Sequence, residues 1–280
     1  MITSVTAALI AMVLIGSADI LNKLARQRGV PIGSYLIIQT LSHTLIILIL
    51  SLLSGGIQWQ SSDILYSLIT AIFGFTGVTL MLHSLTQGHA SVNYTIFRSS
   101  FVLSAAAAIL LMQETLSAQK IAGIVLTCLA IFTFFYEPGR FAAKKRSLSI
   151  AILAMIVAAG FQIVLKMSTR VFSSPLSFIL LMNLFFSSFV ILYNILFGNF
   201  KFPKVTFILA PANGILTALA TLFYVTALHK GELSTAVPII QLSFVITAIL
   251  SATFLKEHVG AFRFAGIICA AIAVVSLGMF

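Results

Sequence analysis

Charged side chains are scarce in this sequence, because Asp, Glu, Lys and Arg make up only 8% of its 280 residues. A soluble domain carries about 25% charged residues, which it needs to cover a water-exposed surface. Apolar residues make up 60% of the chain, and the mean hydropathy is +1.14. The composition therefore excludes a soluble globular protein and favours a polytopic helical membrane protein.

Acidic residues are especially few, with 6 Asp and Glu against 16 Lys and Arg, which gives a net charge of +10. In a soluble protein such a charge would suggest a nucleic-acid surface. Here the basic residues cluster at the ends of apolar runs, as they do on the cytoplasmic face of membrane proteins. We therefore expect the lipid bilayer, and no nucleic acid, as a partner.

Motifs for metal, nucleotide and disulfide chemistry are also missing. The only two cysteines, Cys128 and Cys269, lie within apolar runs, which argues against a disulfide or a metal pair. The sequence has no G-x-x-x-x-G-K-[ST] motif and no H-E-x-x-H motif, so we expect no ATP-driven pump, metal, cofactor or enzyme. The first apolar run has no basic segment before it and no A-x-A-like cleavage site, so we predict a retained helix.

Ten apolar stretches are long enough for spanning helices, which need ~20 residues each. Ten such helices leave ~80 residues for loops and termini, which is too few for a soluble catalytic domain. The longest polar segment, residues 137–147, is predicted as a basic linker between domains at 1–136 and 148–280. The spans are predicted at 4–24, 33–53, 64–86, 91–112, 119–136, 148–168, 176–198, 205–228, 234–255 and 261–279.

The two halves of the sequence repeat at an offset of 143 residues, the separation of Glu114 and Glu257. Hydrophobic composition produces chance matches of Ala, Leu and Ile, but not of Gly, Ser, Glu and Lys at one offset. Five spans per repeat is an odd number, so the second repeat enters the membrane from the opposite side. The fold class is therefore predicted as all-α, with ten transmembrane helices in two inverted five-helix repeats. Other matched pairs are Lys23/Lys166, Gly88/Gly231 and Ser91/Ser234.

Two inverted halves form an architecture that many secondary transporters share. The substrate site is then expected near the bilayer midplane between the halves, with alternating access by rocking of one half against the other. We predict Gly88 and Gly231 as left-handed helix caps and Ser91 and Ser234 as the N-caps of the helices that follow. A non-transporting membrane scaffold subunit remains the alternative of another class.

The loops on one side of the predicted bundle are much more basic than those on the other. By the positive-inside rule, the loop at 137–147 is cytoplasmic and both termini are outside, in what we expect to be a bacterial inner membrane. The opposite side carries four Lys and Arg: Lys120, Lys166, Arg170 and Lys230. The basic side carries eleven: Lys23, Arg26, Arg28, Arg140, Lys144, Lys145, Arg146, Lys201, Lys204, Lys256 and Arg263.

Each repeat closes with an E-x₈-G pattern, Glu114 to Gly123 and Glu257 to Gly266, and spans 4 and 9 each begin with G-x-x-S. These patterns in two five-helix repeats resemble the EamA-type ten-helix transporters of the drug/metabolite transporter superfamily. The resemblance covers nearly the whole chain. It implies export or exchange of small metabolites, often amino acids or other amphipathic solutes. It also implies cytoplasmic termini, peripheral spans 5 and 10, and a cavity lined mainly by spans 1, 3, 4, 6, 8 and 9.

Charged side chains within spans are costly in lipid and mark candidate functional sites. Asp19 is the candidate for proton coupling, and Lys23, four residues on, is a candidate substrate or counter-ion contact. The alternative for Lys23 is a helix-end pair with the ammonium at the interface. Arg98 is the candidate that binds a substrate carboxylate or phosphate through two hydrogen bonds. Its alternative is a structural ion pair with Asp19 or Glu114.

Neutral polar residues supply further candidates, although each is more often an interhelical hydrogen bond than a ligand contact. Glu114 and Glu257 are interpreted as helix caps or partners of nearby lysines. Small residues on spans 4 and 9 are predicted to form a packing seam between them: Ser100, Ser104, Ser243 and Thr247. The further substrate-binding candidates are His83, Asn93, Lys166, Asn213, Tyr224 and Gln241, with Gln39, His43, Asn183 and Asn194 as weaker ones.

These residues favour an exporter or exchanger of a small solute that bears a carboxylate or phosphate, such as an amino acid. Arg98 is the main reason, with Lys23 and Lys166 as helpers. A proton-coupled exporter of amphipathic drugs or cations, coupled through Asp19, is the second hypothesis. The protein is expected to be a monomer or a homodimer.

Overall fold

The structure is a computed structural model that describes residues 2–87, 90–136, 145–198, 201–257 and 260–278. All the secondary structure in these ranges is helical. The helices are α1 (Ser4–Gln27), α2 (Ile32–Leu53), α3 (Ser61–Gln87), α4 (Ala90–Arg98), α5 (Ser100–Met112), α6 (Ala118–Phe135), α7 (Lys145–Ser168), α8 (Pro175–Phe197), α9 (Thr206–Lys230), α10 (Leu233–Gln241), α11 (Ser243–Phe254) and α12 (Ala261–Gly278).

Ten helical stretches of the described residues are long and apolar enough to cross a membrane, which confirms the predicted spans. Two of them are built from two helices each, α4 with α5 and α10 with α11. Large apolar side chains point outward, and those of Leu53, Leu110 and Phe197 are 80%, 78% and 75% exposed. Such a surface suits acyl chains, so the protein is an integral membrane protein.

The two composite spans are interrupted at equivalent places in the two repeats. Ser99 separates α4 from α5 and Leu242 separates α10 from α11, and these residues are 143 positions apart. Their ψ angles are −1° and 7°, far from the helical value of about −42°. The local hydrogen bonds tighten to i→i−3, as from Val245 to Leu242. Discontinuous helices of this kind mark the binding sites of many transporters.

Helices of one repeat pack against helices of the other throughout the bundle. α1 contacts α9, α10 and α11, α3 contacts α7 and α8, and α2 contacts α8 and α9. We call the side where α1 and α6 end the basic side, and the side where α2 and α5 end the opposite side. Because each repeat supplies neighbours to the other, the core lies between the repeats and not within either one.

α6 and α12 pack on each other through the glycines of the E-x₈-G patterns. A Cβ atom on Gly123 would lie 2.5 Å from Leu277 Cγ, and one on Gly266 would lie 2.8 Å from Phe134 Cβ and 2.9 Å from the Ala130 carbonyl oxygen. The absence of a side chain therefore allows the two helices their close approach. The glycines of the pattern that carries the family resemblance thus allow the packing of α6 on α12.

Several predicted helix ends differ from those found. α7 begins at Lys145, three residues before the predicted start, because Ser147 is buried and accepts a hydrogen bond from Asn93 at 3.0 Å. Residues 137–144 of the predicted linker lie outside the described residues. Gly231 is an extended cap with φ −149°, so the left-handed prediction for it is wrong, and Gly88 lies outside the described residues. Ser234 is not the N-cap of α10, since Glu232 occupies that position.

The predicted seam residues of span 4 pack against α7. The Ser104 hydroxyl donates to Gln162 Oε1 at 2.5 Å, and Gln162 Nε2 donates to the Ser100 hydroxyl at 3.0 Å. Ser100 and Ser104 are fully buried. These hydrogen bonds join α5 to α7, and α5 also packs against α10.

The seam residues of span 9 form hydrogen bonds with residues of α1 and α4. The Thr247 hydroxyl donates to the Gly16 carbonyl oxygen at 3.0 Å, and the Ser243 hydroxyl accepts from Arg98 at 3.1 Å. Spans 4 and 9 contact each other through α5 with α10 and through this Arg98–Ser243 hydrogen bond. The predicted crossing at Ser104 and Thr247 stays a prediction.

Candidate substrate-binding site

A cavity of about 640 Å³ lies between the repeats and reaches the basic side of the bundle. We call it the main cavity. Asp19, Lys23 and Arg26 line it from α1, and Tyr35 and Gln39 line it from α2. The volume is in the range of about 300–1,000 Å³ that small-molecule sites occupy. Further lining residues are Tyr94, Arg98, Phe134, Phe135, Phe186, Phe244, Thr247, Ser251, Glu257 and Arg263.

The charged side chains of the main cavity are mostly basic. Four cations and two carboxylates line it, an excess of two positive charges: Lys23, Arg26, Arg98 and Arg263 against Asp19 and Glu257. A cleft lined by one sign of charge between low-dielectric walls concentrates ions of the other sign. The cavity is therefore suited to a solute that carries net negative charge on at least one end.

Arg98 lies where the interrupted helices α4 and α10 end. Its Nη1 donates to the Gln241 carbonyl oxygen at 2.7 Å, an acceptor at the last turn of α10, and its Nη2 lies 3.4 Å from Asp19 Oδ2. The side chain is 12% exposed and its guanidinium carbon lies 5.7 Å from the centroid of the Phe244 ring. The Arg98 Nε atom is buried without a partner, so the guanidinium keeps one donor unused.

Lys23 pairs with Glu257 and not with Asp19. Its Nζ donates to Glu257 Oε2 at 2.5 Å and to the Ser251 hydroxyl at 3.3 Å. Both partners of the pair are 34% exposed, so the contact lies at the mouth of the main cavity. Lys23 therefore makes a helix-end ion pair, and this ion pair also forms part of the cavity wall.

Aromatic rings form one wall of the main cavity. The ring centroids of Phe134 and Phe244 are 4.5 Å apart, those of Phe135 and Phe244 are 5.6 Å apart, and Tyr94 stacks on Phe135 at 6.0 Å. α6 supplies two of these rings and α12 supplies Arg263, so spans 5 and 10 are not purely peripheral. The cavity therefore offers apolar contact beside its charges.

A hydrogen-bonded group of amides joins α1, α2 and α9 at the cavity wall. Gln39 Nε2 donates to Asn213 Oδ1 at 2.8 Å, and Asn213 Nδ2 donates to the Ala18 carbonyl oxygen at 2.8 Å and to Asn22 Oδ1 at 3.0 Å. Asn213 is fully buried, so it positions Gln39 and Asn22. Gln39 Oε1 is left buried without a partner.

A second cavity of about 340 Å³ adjoins the main one and shares Gln39, Thr40, Val78 and Phe186 with it. Its lining comes from seven spans. Tyr224 and Gln241, two of the predicted site residues, line it. Its other lining residues include His43, Thr70, Phe73, Phe97, Ala158, Phe161, Gln162, Met182, Asn183 and Thr221.

The opposite side of the bundle is held together by polar contacts with Glu114. Its carboxylate accepts from the Leu233 and Ser234 backbone N–H groups at 2.7 and 2.9 Å and from the Ser234 hydroxyl at 2.6 Å. Lys166 Nζ donates to the Leu228 and Gly231 carbonyl oxygens at 2.6 and 2.5 Å. Glu114 is thus a cap, as interpreted from the sequence, but for a helix in the other repeat.

An ion pair lies beside this cap. Lys120 is fully buried and donates to Glu232 and to the Thr115 carbonyl oxygen. Burial raises the pKa of Glu232, but hydrogen bonds from Lys120 and Thr115 outweigh burial and hold its pKa below the usual 4.5. The carboxylate is therefore stabilised in its charged form.

Four of the predicted site residues line neither cavity, and one of them is Asn213, the buried amide described above. His83 is exposed on α3. Asn93 is fully buried and donates to the Ser84 carbonyl oxygen at 2.8 Å and to Ser147 at 3.0 Å, which makes it an interhelical contact. Lys166 binds helix-end carbonyls as described above. The structure brings together Asp19, Lys23, Arg98 and Asn213.

Sequence reasoning missed Tyr35 and gave Gln39 and His43 of α2 only as weaker candidates. Tyr35, Gln39 and His43 are spaced four residues apart, and this spacing places them on one helical face. That spacing was a signal in the sequence, since three polar side chains on one face of an apolar helix need polar surroundings. Glu257 was interpreted from the sequence as a helix cap or a lysine partner, and it does pair with a lysine, Lys23, which is 234 residues away in the chain.

Comparisons with known proteins identify the family. A search of curated proteins finds no match. A crystal structure superposes on the chain with a TM-score of 0.86 at 12% sequence identity, and the match covers 99% of this chain and 96% of the other. At that identity the likeness shows the fold alone. The model of the EamA-like transporter family matches residues 2–136 and again residues 145–279. The resemblance is thereby confirmed: this chain belongs to the EamA-like transporter family, within the drug/metabolite transporter superfamily.

Proposed function

We propose that this protein is a secondary active transporter of a small amphipathic solute that bears a carboxylate or phosphate, such as an amino acid. The observation that carries the proposal is the excess of positive charge in the main cavity around Arg98. Arg98 has an unused Nε donor beside a cavity large enough for a metabolite. A guanidinium binds such anions with charge-assisted hydrogen bonds.

Asp19 is a second binding group for the same solute, with a charge opposite to that of Arg98. Its carboxylate lies 3.4 Å from the Arg98 guanidinium and lines the main cavity. An incoming carboxylate competes with Asp19 for Arg98, and a substrate ammonium can then pair with Asp19. Exchange of ion partners of this kind binds a zwitterion without leaving an unpaired charge in the membrane interior. Protonation of Asp19 would release Arg98 in the same way and couple a proton to transport.

Alternating access is supported by an asymmetry between equivalent residues of the two repeats. Glu114 caps α10 and keeps the opposite side closed, whereas its equivalent, Glu257, binds Lys23 at the mouth of the main cavity. In the alternate state we expect the roles to exchange, with Glu257 capping the start of α4 at Ala90. The cavity would then open to the opposite side.

Transport direction follows from the charge distribution in this proposal. The main cavity reaches the basic side, which the positive-inside rule assigns to the cytoplasm. The structure would then represent an inward-facing state that accepts solute from the cell interior. This orientation suits an exporter or an exchanger.

Ligand-induced thermal stabilisation tests the proposal. The purified protein is unfolded in detergent with panels of anionic, zwitterionic and cationic solutes, and uptake is measured in proteoliposomes. A ligand at 100 times its Kd adds about 2.7 kcal/mol to the free energy of unfolding. We expect stabilisation by carboxylates or phosphates that disappears in Arg98→Gln. Arg28→Gln is the matched control, because Arg28 is an exposed arginine at the end of α1 and does not line the cavity.

Each other outcome contradicts the proposal in its own way. Stabilisation by cations alone, lost in Asp19→Asn, would replace it with a proton-coupled exporter of cationic or drug-like solutes. No stabilisation by any class, together with no uptake by proteoliposomes, would favour a scaffold subunit. Stabilisation by anions that survives Arg98→Gln would remove Arg98 from the site.

A further inference from the structure

We infer that the second cavity is a subsite for the apolar part of the substrate, and that His43 recognises a hydrogen-bonding group on it. This inference rests on the proposed function, because it places the charged end of the same solute at Arg98. The solute class is an aromatic or heteroaromatic amino acid or a similar carboxylate with a polar ring substituent.

The position of the second cavity suits a tail that follows a charged head. The two cavities adjoin at Gln39, Thr40, Val78 and Phe186. Among the described residues, the main cavity holds the six charged side chains, whereas no Asp, Glu, Lys or Arg lines the second cavity. A solute with its anionic end at Arg98 therefore meets a region without fixed charge as it extends inward.

Aromatic side chains dominate the apolar wall of the second cavity. Phe73, Phe97, Phe161 and Phe186 all line it, and Met182 completes the wall. Contacts between aromatic rings are favourable beyond simple burial of apolar surface. The volume of about 340 Å³ lies at the small end of ligand-site volumes, which are about 300–1,000 Å³. A ring-sized group fits this description better than a long acyl chain.

Three polar side chains on one face of α2 connect the cavities. Tyr35 lines the main cavity, Gln39 lines both, and His43 lines the second. Eight residues of helix separate the first from the last, which is about 12 Å. We call these three side chains the ladder. The ladder runs along the path that an extended metabolite would take from the basic side inward.

Each side chain of this ladder carries a buried polar atom without a partner: Tyr35 Oη, Gln39 Oε1 and His43 Nε2. Tyr35 is 5% exposed and His43 is 8% exposed. The Tyr35 hydroxyl lies near the Asn213 side chain without reaching hydrogen-bond geometry. A buried polar atom without a partner destabilises the fold, so three on one helical face call for an external partner.

The chemistry of the ladder specifies the order of groups on the solute. Gln39 donates its amide N–H to Asn213, which leaves Oε1 as an acceptor for a substrate ammonium or other N–H donor. His43 Nε2 lies deeper and serves a group on the ring, such as a hydroxyl or a ring N–H. The order is thus anionic head, N–H donor, ring, polar substituent.

Three amino acids of increasing reach test the inference by thermal stabilisation and competition: alanine, phenylalanine and tyrosine. In the unsubstituted protein we expect phenylalanine to bind more tightly than alanine, and tyrosine about threefold to tenfold more tightly than phenylalanine, as for one net hydrogen bond. In His43→Leu the tyrosine and phenylalanine affinities should become equal. His83→Leu is the matched control, since His83 is exposed on α3 outside both cavities.

A second variant keeps the test decisive if His43→Leu does not fold. Ala158→Leu narrows the second cavity, which Ala158 lines, and should weaken both ring-bearing ligands while leaving alanine unchanged. Equal affinity of the three amino acids for the unsubstituted protein would overturn the subsite. Retention of the tyrosine preference in His43→Leu would overturn the role of His43. Failure of every carboxylate to bind would instead overturn the proposed function itself.

Discussion

Replacing Glu114 with glutamine removes the carboxylate that holds the start of α10 against the end of α5. In the structure this carboxylate accepts three hydrogen bonds, from the Leu233 N–H at 2.7 Å, the Ser234 N–H at 2.9 Å and the Ser234 hydroxyl at 2.6 Å. The glutamine amide keeps one acceptor and turns the other position into a donor. The Ser234 N–H then loses its acceptor and the charge at the helix N-terminus is removed, whereas the Ser234 hydroxyl can accept from the new amide N–H.

The expected energetic effect follows from these contacts. A hydrogen bond to a charged group contributes about 1.5–3 kcal/mol and a negative charge at a helix N-terminus about 0.3–1 kcal/mol, so their loss weakens the closed opposite side by about 3 kcal/mol. At 1.4 kcal/mol per factor of ten, this is about a 150-fold change in the equilibrium between the two states. Because Glu114 makes these contacts in the state with the main cavity open, the substitution shifts molecules toward the alternate state.

Thiol labelling measures this shift. A cysteine at Leu36, which lines the main cavity, is introduced after Cys128 and Cys269 are replaced by alanine. Its labelling rate is normalised to that of a cysteine at Lys201, an exposed position. We expect the normalised rate to fall in Glu114→Gln, by about tenfold for a starting ratio of the two states of about 10:1.

Asp63→Asn is the matched control on the same side. Asp63 is buried and accepts from the Gln60 N–H at 2.9 Å, the Ser173 N–H at 3.2 Å and the Ser173 hydroxyl at 2.7 Å. It joins the starts of α3 and α8, and the contacts of α3 with α8 and of their repeat equivalents, α9 with α2, are both present in this structure. Asp63→Asn should lower the free energy of unfolding without changing the labelling rate of the cysteine introduced at Leu36. An unchanged labelling rate in folded Glu114→Gln protein would refute the reasoning.

Two further predictions concern stability. Because the pKa of Glu232 is held below 4.5, its pair with Lys120 stabilises the fold above that pH and ceases to do so as the pH falls through the lowered pKa. The Tm difference between the unsubstituted protein and Glu232→Gln should therefore shrink in acid, and a difference that grows there would contradict the assignment. Gly266→Ala should lower stability by about 1–3 kcal/mol, because backbone atoms oppose the new Cβ, and Gly123→Ala by less, because only a Leu277 side chain must move. Equal chemical-denaturation midpoints for the two variants would disprove this order.

The number of spans and the repeat could be predicted from sequence because both depend on local or periodic signals. A backbone in lipid must satisfy its own hydrogen bonds, so each crossing requires a run of about 20 apolar residues. Matched Gly, Ser, Glu and Lys residues at one offset revealed the two halves. The interruptions at Ser99 and Leu242 left no such signal, and they emerged only from the folded backbone.

The candidate site was only partly predictable. Asp19 and Arg98 could be identified, since a charge within a span must be either functional or paired. The structure shows that Arg98 contacts Asp19 and also the end of α10. Asn93 and Tyr35 look alike in sequence, as single polar residues in apolar helices, but one bonds to a neighbouring helix and the other faces the cavity.

The sequence by itself determined the membrane location, the ten crossings and the two-repeat architecture, because hydropathy and periodicity are properties of the chain alone. The tertiary structure decided which polar groups meet, such as Lys23 with Glu257 and Lys166 with the end of α9. Lys23 and Lys166 are equivalent in the repeat, yet they have different partners. The physical reason is that a polar side chain in a membrane protein takes whichever partner the packing of the other helices brings within hydrogen-bond distance.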